Sequence, residues 1–177
     1  ELSDVLGELF GKEDKEDEVE PTLVFKGLSI VLPEEYELGE TDEYGDNSGY
    51  VRFTNDNYVV DIQCGPMEGD LEGMSAKEYR DNYLERMTPE DNDVGEYDVG
   101  KKNGTPYLYA IKDDNTAVAV IAFYVDGDYG WLAGVLFNGD PEDCNLDDMI
   151  KLVTGWKCEE PDPNEAEGNE GGNNIPE

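Results

Sequence analysis

Apolar residues fill odd and even positions alike in AVAVIAFYV, residues 117–125. A strand with one wet face alternates apolar and polar residues, so this pattern predicts a central strand covered on both sides. YGWLAGVLF follows after the short connection DGD, which places residues 117–125 and 130–137 deep in one sheet. Other segments read as strands with weaker patterns. TLVFKGLSIVLP gives two short runs around Lys26 and Gly27, a hairpin that opens the body of the protein. An acidic, glycine-bearing loop is expected over residues 34–48. GYVRFTNDNYVVDIQC then predicts a second hairpin, with Val51 and Phe53 alternating against Tyr50, Arg52 and Thr54. YDVGKKNGTPYLYAI reads as strand, turn through Asn103 and Gly104, and strand, with Lys101 and Lys102 at an exposed turn. WKC adds a short last strand.

Three segments carry a helical period instead. In SAKEYRDNYLERM, Ser75 and Glu78 have the spacing of a capping box, each side chain satisfying a backbone donor at the helix start. Tyr79, Tyr83 and Met87 form its buried stripe beside Ala76 and Leu84, and Pro89 stops it. In NLDDMIKLVTG, Leu146, Met149, Ile150 and Val153 share one face, Asn145 caps the start and Gly155 marks the end. ELSDVLGELFGK places Leu2, Val5, Leu6, Leu9 and Phe10 on one face, ahead of a charged run that reads as a linker. That helix can dock on the body or serve as a stalk. The domain reading is therefore residues 1–21 as helix and acidic linker, 22–160 as the folded unit and 161–177 as a disordered acidic tail.

Strand runs joined by short turns and separated by helices predict an α+β protein, mainly one antiparallel sheet flanked by helices on both faces. With FKGLSIVLP opening, SAKEYRDNYLERM after the second hairpin, and GTPYLYAI, TAVAVIAFYV and YGWLAGVLF before a closing helix, the chain resembles the PsbP-like fold over roughly residues 22–158. That α/β/α sandwich is named for an extrinsic subunit of photosystem II and is shared with import factors that bind the GTPase Ran. Small secreted or surface-attached bacterial proteins look like it too. The resemblance implies an accessory or binding role rather than catalysis, and it carries no functional residue onto this chain.

Charge changes the picture most. The chain has 45 Asp and Glu against 12 Lys and Arg, no His, and a formal net charge of −33. Residues 1–20 hold nine acids and two lysines and residues 161–177 five acids and no base, which leaves 31 acids against 10 bases in the body. Such a surface repels nucleic-acid phosphates and anionic lipid headgroups and attracts cations and basic partners. No apolar run approaches the ~18 residues of a membrane span. The absence of His removes Ser-His-Asp and Cys-His nucleophile systems, and with no Cys-x-x-Cys a zinc site is not expected. No phosphate-cradling glycine motif is present. Cys64 reads as a small buried side chain, and Cys144 and Cys158 flank the last helix.

Two kinds of site remain. Calcium takes oxygens from acidic, glycine-bearing loops, and three loops offer them: Asp42, Asp46 and Asn47; Asp126 and Asp128; Asp140, Glu142 and Asp143. No EF-hand template is met, and the same residues are ordinary turn formers. Asp126, Asp128, Tyr129 and Trp131 at the DGD tip form a candidate recognition edge, because Tyr and Trp anchor interfaces; Trp131 can equally point into the core. The reading is a monomeric, non-catalytic, extracellular or cell-surface binding domain, with a leader removed ahead of Glu1 and a protein or cell-wall component, basic in charge, as its partner. A carboxylate-dependent extracellular hydrolase and a Ca²⁺-responsive module are the alternatives.

Overall fold

The computed structural model describes residues 23–43, 48–86, 96–112 and 116–158. The expected first helix and linker (1–21), the tail (161–177), and the stop at Met87 and Pro89 lie outside the described residues. The opening hairpin, β1 (Leu23–Phe25) and β2 (Leu28–Ile30), turns on Lys26 and Gly27 at φ 48° and 85°. Two positive φ values in a two-residue loop define the turn whose twist matches paired strands. This hairpin does not join the main sheet. The last strand, β10 (Lys157–Cys158), adds to β2, and the three make a small antiparallel sheet in the order β1-β2-β10.

The main sheet has seven antiparallel strands. They are β3 (Glu37–Glu43), β4 (Gly49–Thr54), β5 (Tyr58–Pro66), β6 (Glu96–Lys102), β7 (Thr105–Ile111), β8 (Ala117–Asp126) and β9 (Tyr129–Phe137). Their spatial order is β3-β4-β5-β9-β8-β7-β6, so β9 is the middle strand and β8 its neighbour, as the apolar runs predict. The expected loop over 34–48 is corrected: residues 37–43 form an edge strand, paired with β4 through a register shift between Leu38 and Thr41. Every residue of β3 is exposed. Both faces and one edge are wet, so its sequence carries no apolar alternation, and its acids blunt the unpaired edge.

One face of the central strands is covered. Val51, Phe53, Val60, Ile62, Val120 and Trp131 meet Leu28 and Ile30 of the small sheet and Met149, Ile150 and Val153 of α2 (Leu146–Thr154). Asn145 caps α2 by accepting from the Asp148 amide at 3.2 Å, and Tyr124 of β8 donates its hydroxyl to the Val153 carbonyl, pinning the helix end. The opposite face carries α1 (Ala76–Arg86), which lies over β7 and β8. Its capping box is complete: Ser75 N and Oγ both donate to Glu78 Oε2 at 2.8 Å, and the Glu78 amide donates to Ser75 Oγ at 3.3 Å. Tyr79 and Tyr83 set their rings edge-on to Phe123, each with centroids 5.5 Å apart.

Arg80 was not expected in this interface, yet it is only 7% exposed. Its Nη1 donates to the Gly100 carbonyl at 2.8 Å, while Nε and Nη2 reach Asp81 Oδ1 at 3.0 and 2.8 Å, tying α1 to β6.

Cover on both sides of the central strands is therefore only half achieved. Phe123 is buried under α1, but Ala119, Ile121, Leu132 and Gly134 are partly open and Leu136 is 45% exposed. The reason is dimensional. A helix is about 10 Å across, whereas six inter-strand spacings of about 4.8 Å make a sheet nearly three times as wide.

Candidate functional site

The DGD tip does not present an aromatic edge. Odd positions of β9 face the core, so Trp131 is 0% exposed, opposite Cys64 on β5 and Tyr124 on β8. Tyr129 is half-buried, its ring 5.5 Å from that of Trp131. Asp126 is half-buried and Asp128 exposed, and the Asp128 carbonyl accepts from the Met67 amide at 2.6 Å. The aromatic member that would anchor a partner is thus spent on the fold.

Asp140, Glu142 and Asp143 are all exposed around a short 3₁₀ turn, where the Asp140 carboxylate accepts from the Glu142 amide at 3.1 Å. Asp42 is exposed on β3, and Asp46 and Asn47 lie outside the described residues. Among the described residues no three His, Cys, Asp or Glu side chains are gathered to hold a metal ion. The three cysteines are free thiols; Cys144 Sγ donates to the Ala117 carbonyl, and burial pushes the Cys158 thiol up to about 12.

What the fold does bring together is a groove on the open half-face beside α1. Its floor is Ile121, Leu132, Gly134 and Leu136 of the two central strands, and Tyr83 forms the helix wall of a depression of about 210 Å³. Past Gln63 and Leu132 it continues into a second depression of about 170 Å³ lined by Met67, Leu71 and Tyr79. Gly130 makes this end possible: a Cβ there would lie 2.5 Å from Met67 Sδ and 3.2 Å from the Tyr79 ring.

The far wall is polar and fixed. Asp61 on β5 stands directly opposite Arg52 on β4. Its Oδ1 accepts from Arg52 Nε and from the Tyr50 hydroxyl, both at 2.7 Å, and its Oδ2 accepts from Arg52 Nη2 at 3.1 Å. The guanidinium also lies 5.9 Å from the Tyr50 ring centroid. Burial, then the Asp61 carboxylate, pushes the Tyr50 hydroxyl up to about 12. A carboxylate holding three donors, two of them from a cation, is an anchor for the wall and poorly placed to move protons. The carboxyls of Glu78 and Asp81 are both held below their ordinary values, Glu78 by the Ser75 amide and hydroxyl and Asp81 by Lys77 and Arg80. A general acid needs the opposite shift.

The Arg52–Asp61 pair was legible only in part: both residues lie in one hairpin, but symmetry about the NDN turn would pair Arg52 with Val60, and the register that opposes it to Asp61 is one residue longer. The groove was not legible, since its floor and wall come from β5, β8, β9 and α1.

Fold and groove together define an α+β protein of two antiparallel sheets, with an apolar cleft open on one face. No protein-family model matches the chain, and no curated protein matches it either. Among the described residues no helix is long and apolar enough to cross a membrane.

Proposed function

We propose that this chain is a non-catalytic binding domain acting outside the cell or at its surface, and that the groove beside α1 receives the apolar part of its ligand. The observation that carries this is the uncovered strip Ile121, Leu132 and Leu136 on the central strands, where the apolar pattern calls for cover. Burying such side chains fully is worth about 1.5–3 kcal/mol each, so a ligand that covers the strip recovers part of that energy. The Tyr50–Arg52–Asp61 wall supplies a rigid polar rim that fixes orientation, the usual division of labour in a ligand cleft. The acidic body and the absence of His support binding over catalysis.

Gly134→Leu tests the site directly. A Cβ at Gly134 meets nothing closer than 3.7 Å, so the larger side chain enters the groove without disturbing the sheet. Decanoate, a muropeptide and a leucine-rich peptide are titrated into ¹⁵N-labelled protein. At least one probe should shift the amide signals of Ile121, Leu132 and Leu136, and Gly134→Leu should weaken that probe at least tenfold. Binding that maps elsewhere and ignores the plug counts against the groove.

A further inference from the structure

The opposite face carries a second trough, between α2 and residues 31–36. One end is a depression of about 320 Å³ lined by Val31, Lys151, Leu152 and Trp156. The other, of about 260 Å³, is lined by Glu35, Tyr36, Asn55 and Tyr58. Pro33, Asp148 and Leu152 line both, so the two are continuous. The ends differ in chemistry. Val31, 44% exposed, and Leu152 make the first end apolar above the buried Trp156. At the second, two half-buried tyrosines stand among carboxylates: Glu35 acts electrostatically on Tyr36, and Asp143 and Asp148 on Tyr58. Lys151 is the single base lining the trough, and it lies at the apolar end.

Tyrosine faces carry negative quadrupole potential, and carboxylates at the rim add to it. A guanidinium suits both, because it stacks on an aromatic face and forks to a carboxylate. The remaining acids of a chain at −33 draw a cation in from a distance without choosing where it lands. Local geometry makes that choice.

We infer that this trough docks a short basic segment of a partner protein, with an arginine at the Tyr36–Tyr58 end beside Glu35 and Asp148 and an apolar side chain at the Val31–Leu152 end. The inference goes beyond the groove beside α1 and is independent of it, since the two lie on opposite faces of the sheet.

The test uses the full chain and a fluorescein-labelled octapeptide pool with one leucine and two arginines at randomised positions. A matched pool replaces arginine with citrulline, which keeps the shape and removes the charge. Anisotropy should show the arginine pool binding at least tenfold more tightly than the citrulline pool. Glu35→Gln with Asp148→Asn should cost at least tenfold, and Val31→Ser with Leu152→Ser about the same. All four side chains are at least partly open, and urea melts of each variant establish that it is folded. Glu43→Gln with Glu96→Gln removes the same charge from the sheet edges and should leave affinity within twofold. Equal losses from the two charge-removing pairs would show diffuse attraction only and overturn the inference. Equal binding of the citrulline pool would do the same, as would loss of binding on Gly134→Leu, which would move the peptide to the other face.

Discussion

Trp131→Ala lowers the unfolding free energy by about 3–5 kcal/mol, the range for emptying a large aromatic site in a packed core. Trp131→Phe costs far less. The indole is fully buried, and its Nε1–H finds no acceptor among the described residues. A buried donor left unmet costs about 1–3 kcal/mol, so phenylalanine removes a penalty while it opens a smaller void. The two effects oppose each other, and the net cost of Trp131→Phe should be below ~1.5 kcal/mol. Domains of this kind are stable by about 5–15 kcal/mol, so the alanine variant approaches the threshold of folding while the phenylalanine variant does not. Urea melts of the three proteins decide it. A loss well above ~1.5 kcal/mol for Trp131→Phe would mean that the lost ring volume sets the cost and that the indole N–H is indifferent.

Arg80→Ala should cost about 2–3 kcal/mol, because hydrogen bonds from a charged, buried donor are worth about 1.5–3 kcal/mol and the Gly100 carbonyl loses its partner. The effect carries a pH signature through Asp81. Lys77 and Arg80 hold the Asp81 carboxyl below its ordinary value of 3.8, and Ser75 does the same for Glu78. A group whose folded value is depressed contributes fully above its unfolded value and loses that contribution as pH falls through the folded one. The loss therefore begins below about pH 4. Self-repulsion of the −33 chain runs the other way, since protonating carboxylates between roughly pH 5 and 4 relieves it. The melting temperature of the wild type should rise gently on acidification and then fall. In Asp81→Asn the acid fall should be shallower. An unchanged acid limb in that variant would show that Asp81 is not among the groups responsible.

The elements that were legible in the sequence are those whose pattern is forced by one dominant contact. Ser75 and Glu78 announce the start of α1 because the capping box is a local exchange of hydrogen bonds. Leu146, Met149, Ile150 and Val153 announce α2 because one face alone is buried. β8 and β9 stand out as central because both their faces are apolar, one packed in the core and the other under α1 or along the groove. The failures have equally definite causes. Trp131, Ala133 and Val135 face the core while Leu132, Gly134 and Leu136 face the groove, and both sets are apolar, so nothing in β9 marks which parity points inward. β3 has no inward face at all. Arg80 lies four residues from both Ala76 and Leu84, inside the apolar stripe of the helical wheel, but its charge argues for solvent, and only the carbonyl of Gly100, twenty positions away, explains its burial. Tyr36, Tyr58 and Asp148 belong to three separate stretches, and their meeting depends on α2 lying over the main sheet alongside residues 33–36.

That small sheet has a mechanical consequence. β1, through which the chain enters the described fold, and β10, through which it leaves, flank β2 and run parallel to one another. A tension applied between Leu23 and Cys158 pulls these two strands in opposite senses along their own axes. The bonds to β2 are then strained together and not peeled one after another. A domain held from its two ends meets that load in shear, before the seven-stranded sheet feels it.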